Sequence, residues 1–188
     1  MDSDFMEGIA ARLAERGVAT ARFEFPYMAL RRLDGRRRPP DREPKLLAAW
    51  RAAVAELRGC APAGQRLAIG GKSMGGRMAS LVADALHVDA LICLGYPFHP
   101  PGKPDRLRTG RLETLQTPAL IRQGERDPFG RREEVETYRL APTVTVSWSP
   151  DGDHDLKPRK RSGLDHAETL DAAAQTVAEY LFGLPERP

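Results

Sequence analysis

Apolar residues recur along this chain at two spacings, three to four residues apart in some stretches and continuous or alternating in others. Phe5, Met6, Ile9, Ala10 and Leu13 keep the helical spacing and Gly17 follows as a stop, which predicts an amphipathic helix over residues 4 to 16 capped by Asp2, Ser3 or Asp4. Val18 to Phe25 is rich in β-branched and aromatic residues and ends at Pro26, which predicts a short strand. Residues 31 to 45, with many arginines and Pro39, Pro40 and Pro44, predict an exposed excursion. Leu46, Leu47, Trp50, Val54 and Leu57 mark a second helix face, closed by Gly59. Strands are then expected at 66 to 71, 89 to 95, 118 to 124 and 143 to 149, with helices at 76 to 86 and 166 to 182. The last strand alternates Val144, Val146 and Trp148 against Thr145 and Ser147. Such alternation of strands and helices predicts an α/β fold, a mainly parallel sheet with helices on both faces.

Length adds that the 188 residues suit one domain. No run of eighteen apolar residues exists to span a bilayer, and the acidic start Met1-Asp2-Ser3-Asp4 lacks the positive region of a secretory leader. The expectation is a cytoplasmic protein without a membrane partner. Cys60 and Cys93 make no disulfide framework, and Cys93, inside Ala90-Leu91-Ile92-Cys93-Leu94, reads as a buried inert thiol. A net charge of +3 implies no general nucleic-acid affinity, and neither aromatic interleaving nor a recognition motif accompanies the basic clusters Arg31, Arg32, Arg36, Arg37, Arg38, Arg42 and Lys157, Arg159, Lys160, Arg161.

The chemistry concentrates in three places. Gly71-Lys72-Ser73-Met74-Gly75 lies between a strand pattern and a helix pattern, as in a nucleophile elbow, a strand-to-helix turn so sharp that it lifts a serine out of the sheet. Glycines on both sides of Ser73 avoid the clash a side chain would bring. The N–H of Met74, at the start of the helix, could donate to an oxyanion. Asp127, in Gly124-Glu125-Arg126-Asp127-Pro128, follows a strand, where a carboxylate can accept a histidine's Nδ1–H. The competing reading is a turn aspartate before proline. His154, in Asp151-Gly152-Asp153-His154-Asp155, follows the last strand, the position expected of a base for Ser73. His87 ends a helix, His166 opens one and His99 lies in the proline-rich loop Gly95 to Pro104. A solvated loop histidine, or a metal site from Asp151, Asp153, His154 and Asp155, is the alternative, but the metal site leaves the glycine elbow unexplained. The Ser, Asp, His order needs no cofactor.

Arg22-Phe23-Glu24-Phe25-Pro26-Tyr27, Gly70 to Arg77, Gly95 to Pro104, Gly124 to Gly130 and Gly152 to Pro158 together resemble a known group. It comprises small, lidless, dienelactone-hydrolase-like α/β-hydrolases, in a mostly uncharacterised family shared with a subunit of a eukaryotic chromatin acetyltransferase complex. The resemblance implies the α/β-hydrolase fold over residues 1–188, with Ser73 as nucleophile, Asp127 as acid and His154 as base. It also offers Tyr27, Lys72, Tyr96, His99 and Phe129 as substrate contacts. In such proteins a strand ending in a His-Gly-x-Gly loop, which donates a backbone N–H to the oxyanion hole, precedes the helix predicted here at 4 to 16. This sequence begins after it, so the domain is expected to lack its N-terminal strands and to have a gap beside Ser73. Either the natural protein starts further upstream, which is the favoured expectation, or the strand at 18 to 25 moves against the one at 66 to 71 and closes the gap.

The functional expectation is a serine hydrolase acting on an ester, thioester or lactone through an acyl-enzyme. Its activity should fall in acid, where imidazolium cannot accept the serine proton. The partner expected is a small ester-like substrate, anionic if the basic clusters, each following a strand, lie around the rim of the site. The alternatives are an idle scaffold for protein–protein contacts, which conserves the fold without the chemistry, and a nucleic-acid-associated protein based on the arginines.

Overall fold

The computed structural model describes residues 3–185. Four strands, β1 (Ala68–Lys72), β2 (Ala90–Leu94), β3 (Ala119–Gly124) and β4 (Val144–Ser149), form one sheet in the order β1-β2-β3-β4. All three pairings are parallel, with Ala68 beside Ala90, Leu91 beside Ala119 and Ala119 beside Val144. Successive side chains of a strand point to opposite faces, and each face is covered by helices. Leu91, Cys93 and Ile121 face α3 (Glu43–Cys60) and α4 (Met74–Ser80), packing with Leu46, Trp50, Val54, Met78 and Val82. Leu94 and Leu120 face α1 (Asp4–Glu15) and the C-terminal α6 (His166–Phe182), packing with Ile9, Leu13, Leu170, Ala173 and Val177.

Caps and apolar spacing fix the two helices of that second face. Ser3 Oγ accepts the N–H of Met6 at 3.3 Å to start α1, and Asp165 accepts that of Ala167 at 3.1 Å to start α6. Of the other two residues expected as caps, Asp4 is the first residue of α1 and Asp2 lies outside the described residues. Among them, no helix is long and apolar enough to cross a membrane.

Several expectations need correction. Residues 18–25 form no strand, because a strand exists only where a neighbour takes its backbone groups. Their aromatics anchor the segment instead: the Phe23 ring meets Trp50 of α3 edge-on at 4.7 Å, and Phe25 packs near Phe23 at 5.5 Å. Pro26 then opens a further helix, α2 (Pro26–Asp34), ended by Gly35 at φ 68°. The expected excursion is therefore helical over its first residues, and the first basic cluster does not follow a strand. Gly59 does not stop α3, which runs on to Cys60, and the helix expected at 76 to 86 is regular only over Met74–Ser80 before breaking into turns. A short helix, α5 (Arg132–Val135), follows β3.

The segment 18–25 does not close the gap beside β1, which ends the sheet. A cavity of about 1080 Å³ lies there, lined by Ile9 and Leu13 of α1, by Val18 and Ala19, by Ile69 and Gly70 of β1 and by Leu181 of α6.

Candidate active site

β1 runs into α4 through a single residue, Ser73, whose backbone is held at φ 52°, ψ −118°. For a residue with a Cβ this is a sparsely populated region, maintained only because the surroundings over-determine it. Ser73 N–H donates to Leu94 O at 2.9 Å, and Ser73 O accepts from Arg77 N–H at 3.0 Å, so strand and helix both grip the strained residue. The glycine requirement falls one position later than the motif suggests. A Cβ on Gly75 would meet nothing within 4 Å, but one on Gly76 would lie 2.6 Å from Gly71 O and 3.1 Å from Cys93 Sγ. It is Gly76 that lets α4 pack onto the end of β1.

Asp127 lies in the loop after β3 and is fully buried. Its carboxylate accepts from Gln123 Nε2 at 2.9 Å and from Phe129 N–H at 2.9 Å, and His154 Nδ1 sits 2.7 Å from Oδ2. An ionised carboxylate is acceptor-only, so that nitrogen carries the proton and Nε2 is left as the basic atom. The His154 side chain is 21% exposed, and the Phe129 ring lies over it at 4.3 Å and 34°. The backbone of Gly95, just past β2, presses on the histidine so closely that a Cβ there would meet His154 O at 2.8 Å and Nδ1 at 3.2 Å. Since Ser73 bonds to Leu94, the residue before Gly95, serine and histidine are brought to the same, C-terminal end of the sheet's strands.

The carboxylates around His154 have other partners. Asp151 bonds Arg159 and approaches Arg126 Nε at 3.0 Å, and Arg159 holds its carboxyl down at about 2. Asp153 accepts from the N–H groups of Asp155 and Lys157, and Asp155 pairs with Lys72 at 3.1 Å. Among the described residues no group of three such side chains is placed to hold a metal ion.

The expected substrate contacts are distributed unevenly. Phe129 lies on the base. Lys72 turns toward the histidine loop, donating to His154 O at 2.6 Å. Tyr96 and His99 are buried, the tyrosine hydroxyl donating to Arg108 O at 3.1 Å and His99 Nδ1 lying 2.9 Å from Pro100 O. Tyr27 is buried beside Phe25 at the start of α2.

One supporting residue has no counterpart in the motif reading. Gln123, fully buried in β3, accepts from Tyr96 N–H at 2.7 Å and donates to Asp127, to Tyr96 O at 3.2 Å and to Gly130 O at 3.3 Å. It joins the acid to the loops on either side of it. A glutamine inside a fully buried strand was its signal, since such an amide must find partners.

Ser73, Asp127 and His154 thus come from three separate strand ends, the chain order and placement of a hydrolase sheet. The family model for the alpha/beta hydrolase domain matches residues 1–182. The chain belongs to that family. No curated protein matches its sequence. Among solved structures, this alpha/beta hydrolase is similar to an alpha-beta serine hydrolase homologue from Coxiella burnetii, with TM-score 0.71 and 19% identity over 96% of this chain and 77% of the other. It is also similar to a lidless α/β serine hydrolase from Xanthomonas campestris, with TM-score 0.69 and 24% identity over 100% of this chain and 77% of that one. A third is Est1E from Butyrivibrio proteoclasticus, solved with ferulic acid bound, with TM-score 0.69 and 18% identity over 97% of this chain and 84% of that one. These identities speak for the fold, which agrees with the α/β-hydrolase expectation.

Proposed function

We propose that the protein is a serine hydrolase of carboxylic esters, thioesters or lactones, working through an acyl-enzyme. The observation that carries the reading is the buried Asp127 paired with His154 Nδ1 at 2.7 Å, at the C-terminal end of the strands, where Ser73 too is held in a strained turn. His154 Nε2 takes the proton of Ser73 Oγ as the oxygen attacks the substrate carbonyl. Asp127 fixes the tautomer and stabilises the imidazolium that results. Met74, the first residue of α4, supplies its N–H to the oxyanion. The imidazolium then protonates the leaving oxygen or sulfur, and a water molecule deprotonated by His154 releases the acid and restores Ser73.

Phe129, whose ring lies 4.3 Å from that of His154, forms a wall beside the base, and Tyr27, Tyr96 and His99 are buried. The Butyrivibrio neighbour's ferulic acid is a carboxylic acid, the product class this chemistry would give. The reading needs no cofactor, and a cytoplasmic location is proposed with it. The test is turnover of p-nitrophenyl acetate by wild type and by Ser73→Ala and His154→Ala. The wild type should hydrolyse it and each variant should lose about 10⁴-fold or more in kcat. Equal turnover by Ser73→Ala would overturn the proposal.

A further inference from the structure

Lys72 is the last residue of β1 and the immediate neighbour of Ser73. Its side chain is only 16% exposed, and its ammonium is engaged by this chain's own groups. Nζ donates to the backbone carbonyl of His154 at 2.6 Å, pairs with Asp155 Oδ1 at 3.1 Å and stands 5.2 Å from the centre of the Phe5 ring of α1. An ammonium has three donors. With one on a carbonyl, one on a carboxylate and an aromatic face beside it, little is left for a substrate anion.

We propose, resting on the triad reading above, that Lys72 is a positioning residue that grips the base by its own carbonyl and ties the histidine loop to the strand carrying the nucleophile. The loop folds on itself elsewhere, with Asp153 Oδ1 accepting from the N–H groups of Asp155 and Lys157 at 2.9 and 3.0 Å. Asp127 restrains the ring at Nδ1. Lys72 restrains the main chain of the same residue from the opposite strand, and two points of attachment fix an orientation that one leaves free to swing. Reacting groups misplaced by about 1 Å lose roughly 10²-fold in rate, so the second attachment matters to turnover more than to folding.

The charge is part of the grip. Burial pushes the Lys72 ammonium below the usual lysine range, opposed by the hydrogen bond that Nζ donates to Asp155 and then by the charges of Asp155, Asp127 and Asp153. His166, at the start of α6, also faces this spot, with Nε2 3.0 Å from Asp155 O. The Asp155 pair is lost when Lys72 gives up its proton at alkaline pH. Turnover should therefore fall as pH rises, starting at a lower pH than ordinary lysine titration, and arginine, which stays charged, should remove that decline.

Lys72→Met and Lys72→Arg test the assignment. On p-nitrophenyl acetate, Lys72→Met should lose about 10- to 100-fold in kcat with KM changed less than about threefold, and Lys72→Arg should recover most of the loss. Unchanged kcat in Lys72→Met, or a raised KM with normal kcat, overturns the proposal, the latter assigning Lys72 to substrate binding. Proton NMR provides a readout independent of turnover. The far-downfield Nδ1–H signal of His154 should be sharp in wild type and Lys72→Arg and broadened by exchange in Lys72→Met. If the wild type hydrolyses no ester, the hydrolase reading fails, and this signal alone decides the role of Lys72: a signal unchanged in Lys72→Met overturns it.

Discussion

Replacing Gln123 by leucine removes, from a fully buried position, one accepted hydrogen bond and two amide N–H groups shared among three acceptors, while keeping the volume nearly constant. These contacts are unequal. Tyr96 O keeps a second partner, the N–H of Phe98 at 3.0 Å, so its loss matters little. Tyr96 N–H is left buried and unpaired, which costs about 1 to 3 kcal/mol, and the Asp127 carboxylate loses one of its donors, which costs about 1.5 to 3 kcal/mol. Burial of the leucine returns part of this, about 1 to 2 kcal/mol. The net loss is about 3 kcal/mol, and for a chain of this size that lowers Tm by about 6 to 12 °C. Thermal unfolding followed by circular dichroism measures it, with ester turnover on the same samples to read the loosened Asp127. A Tm within about 2 °C of wild type would refute the claim that Gln123 holds the acid and its loops together. Gln123→Glu adds a check of sign. The new carboxyl would face Asp127 in a dry site, so its folded-state pKa is raised, and the destabilisation should be full at neutral pH and relieved as acid allows the two groups to share a proton.

Gly76→Ala should impair both stability and turnover, because the added Cβ meets Gly71 O at 2.6 Å, whereas Gly75→Ala should leave Tm unchanged; the reverse order would contradict the packing described for the elbow. The Asp151 carboxyl is held at about 2 by Arg159, below its ordinary 3.8, so its contribution to stability is present above about pH 4 and lost as pH falls towards 2. Asp151→Asn should accordingly flatten the stability curve in that window, and an unchanged slope would show that the Arg159 pair does not contribute. Cys93 is buried, and burial pushes its thiol up, while Cys60 is exposed, so a thiol reagent should titrate one cysteine in the native protein and two after unfolding. Rapid modification of both in the native state would contradict the packing of Cys93 against α4.

The sheet was legible in the sequence because β2 and β3 carry short apolar runs and β4 alternates apolar with polar residues, and on the other face Ser3, one of the caps expected for α1, starts that helix, while α6 starts at the residue expected for it. The triad candidates were legible because each follows a strand end, and the structure brings Asp127 and His154 into contact. Residues 18–25 misled because Val18, Thr20, Phe23 and Phe25 have strand composition, but composition speaks for side-chain fit and not for a partner strand. The helix at Pro26 was hidden by the arginines of its last turn, although Pro at its first position and Gly35 after its end are ordinary helix boundaries. The roles of Gln123, Gly76 and Lys72 arise from contacts between residues distant in the chain, and no local pattern encodes those.

The central claim is that Ser73 is a nucleophile activated by His154 and Asp127, and covalent capture tests it most directly. The protein, incubated with a fluorophosphonate and digested, should carry one adduct, on the peptide containing Ser73. Ser73→Ala should carry none, and His154→Ala and Asp127→Ala should label far more slowly than wild type. A folded wild type that stays unlabelled, or an adduct mapped to a residue other than Ser73, would contradict the account.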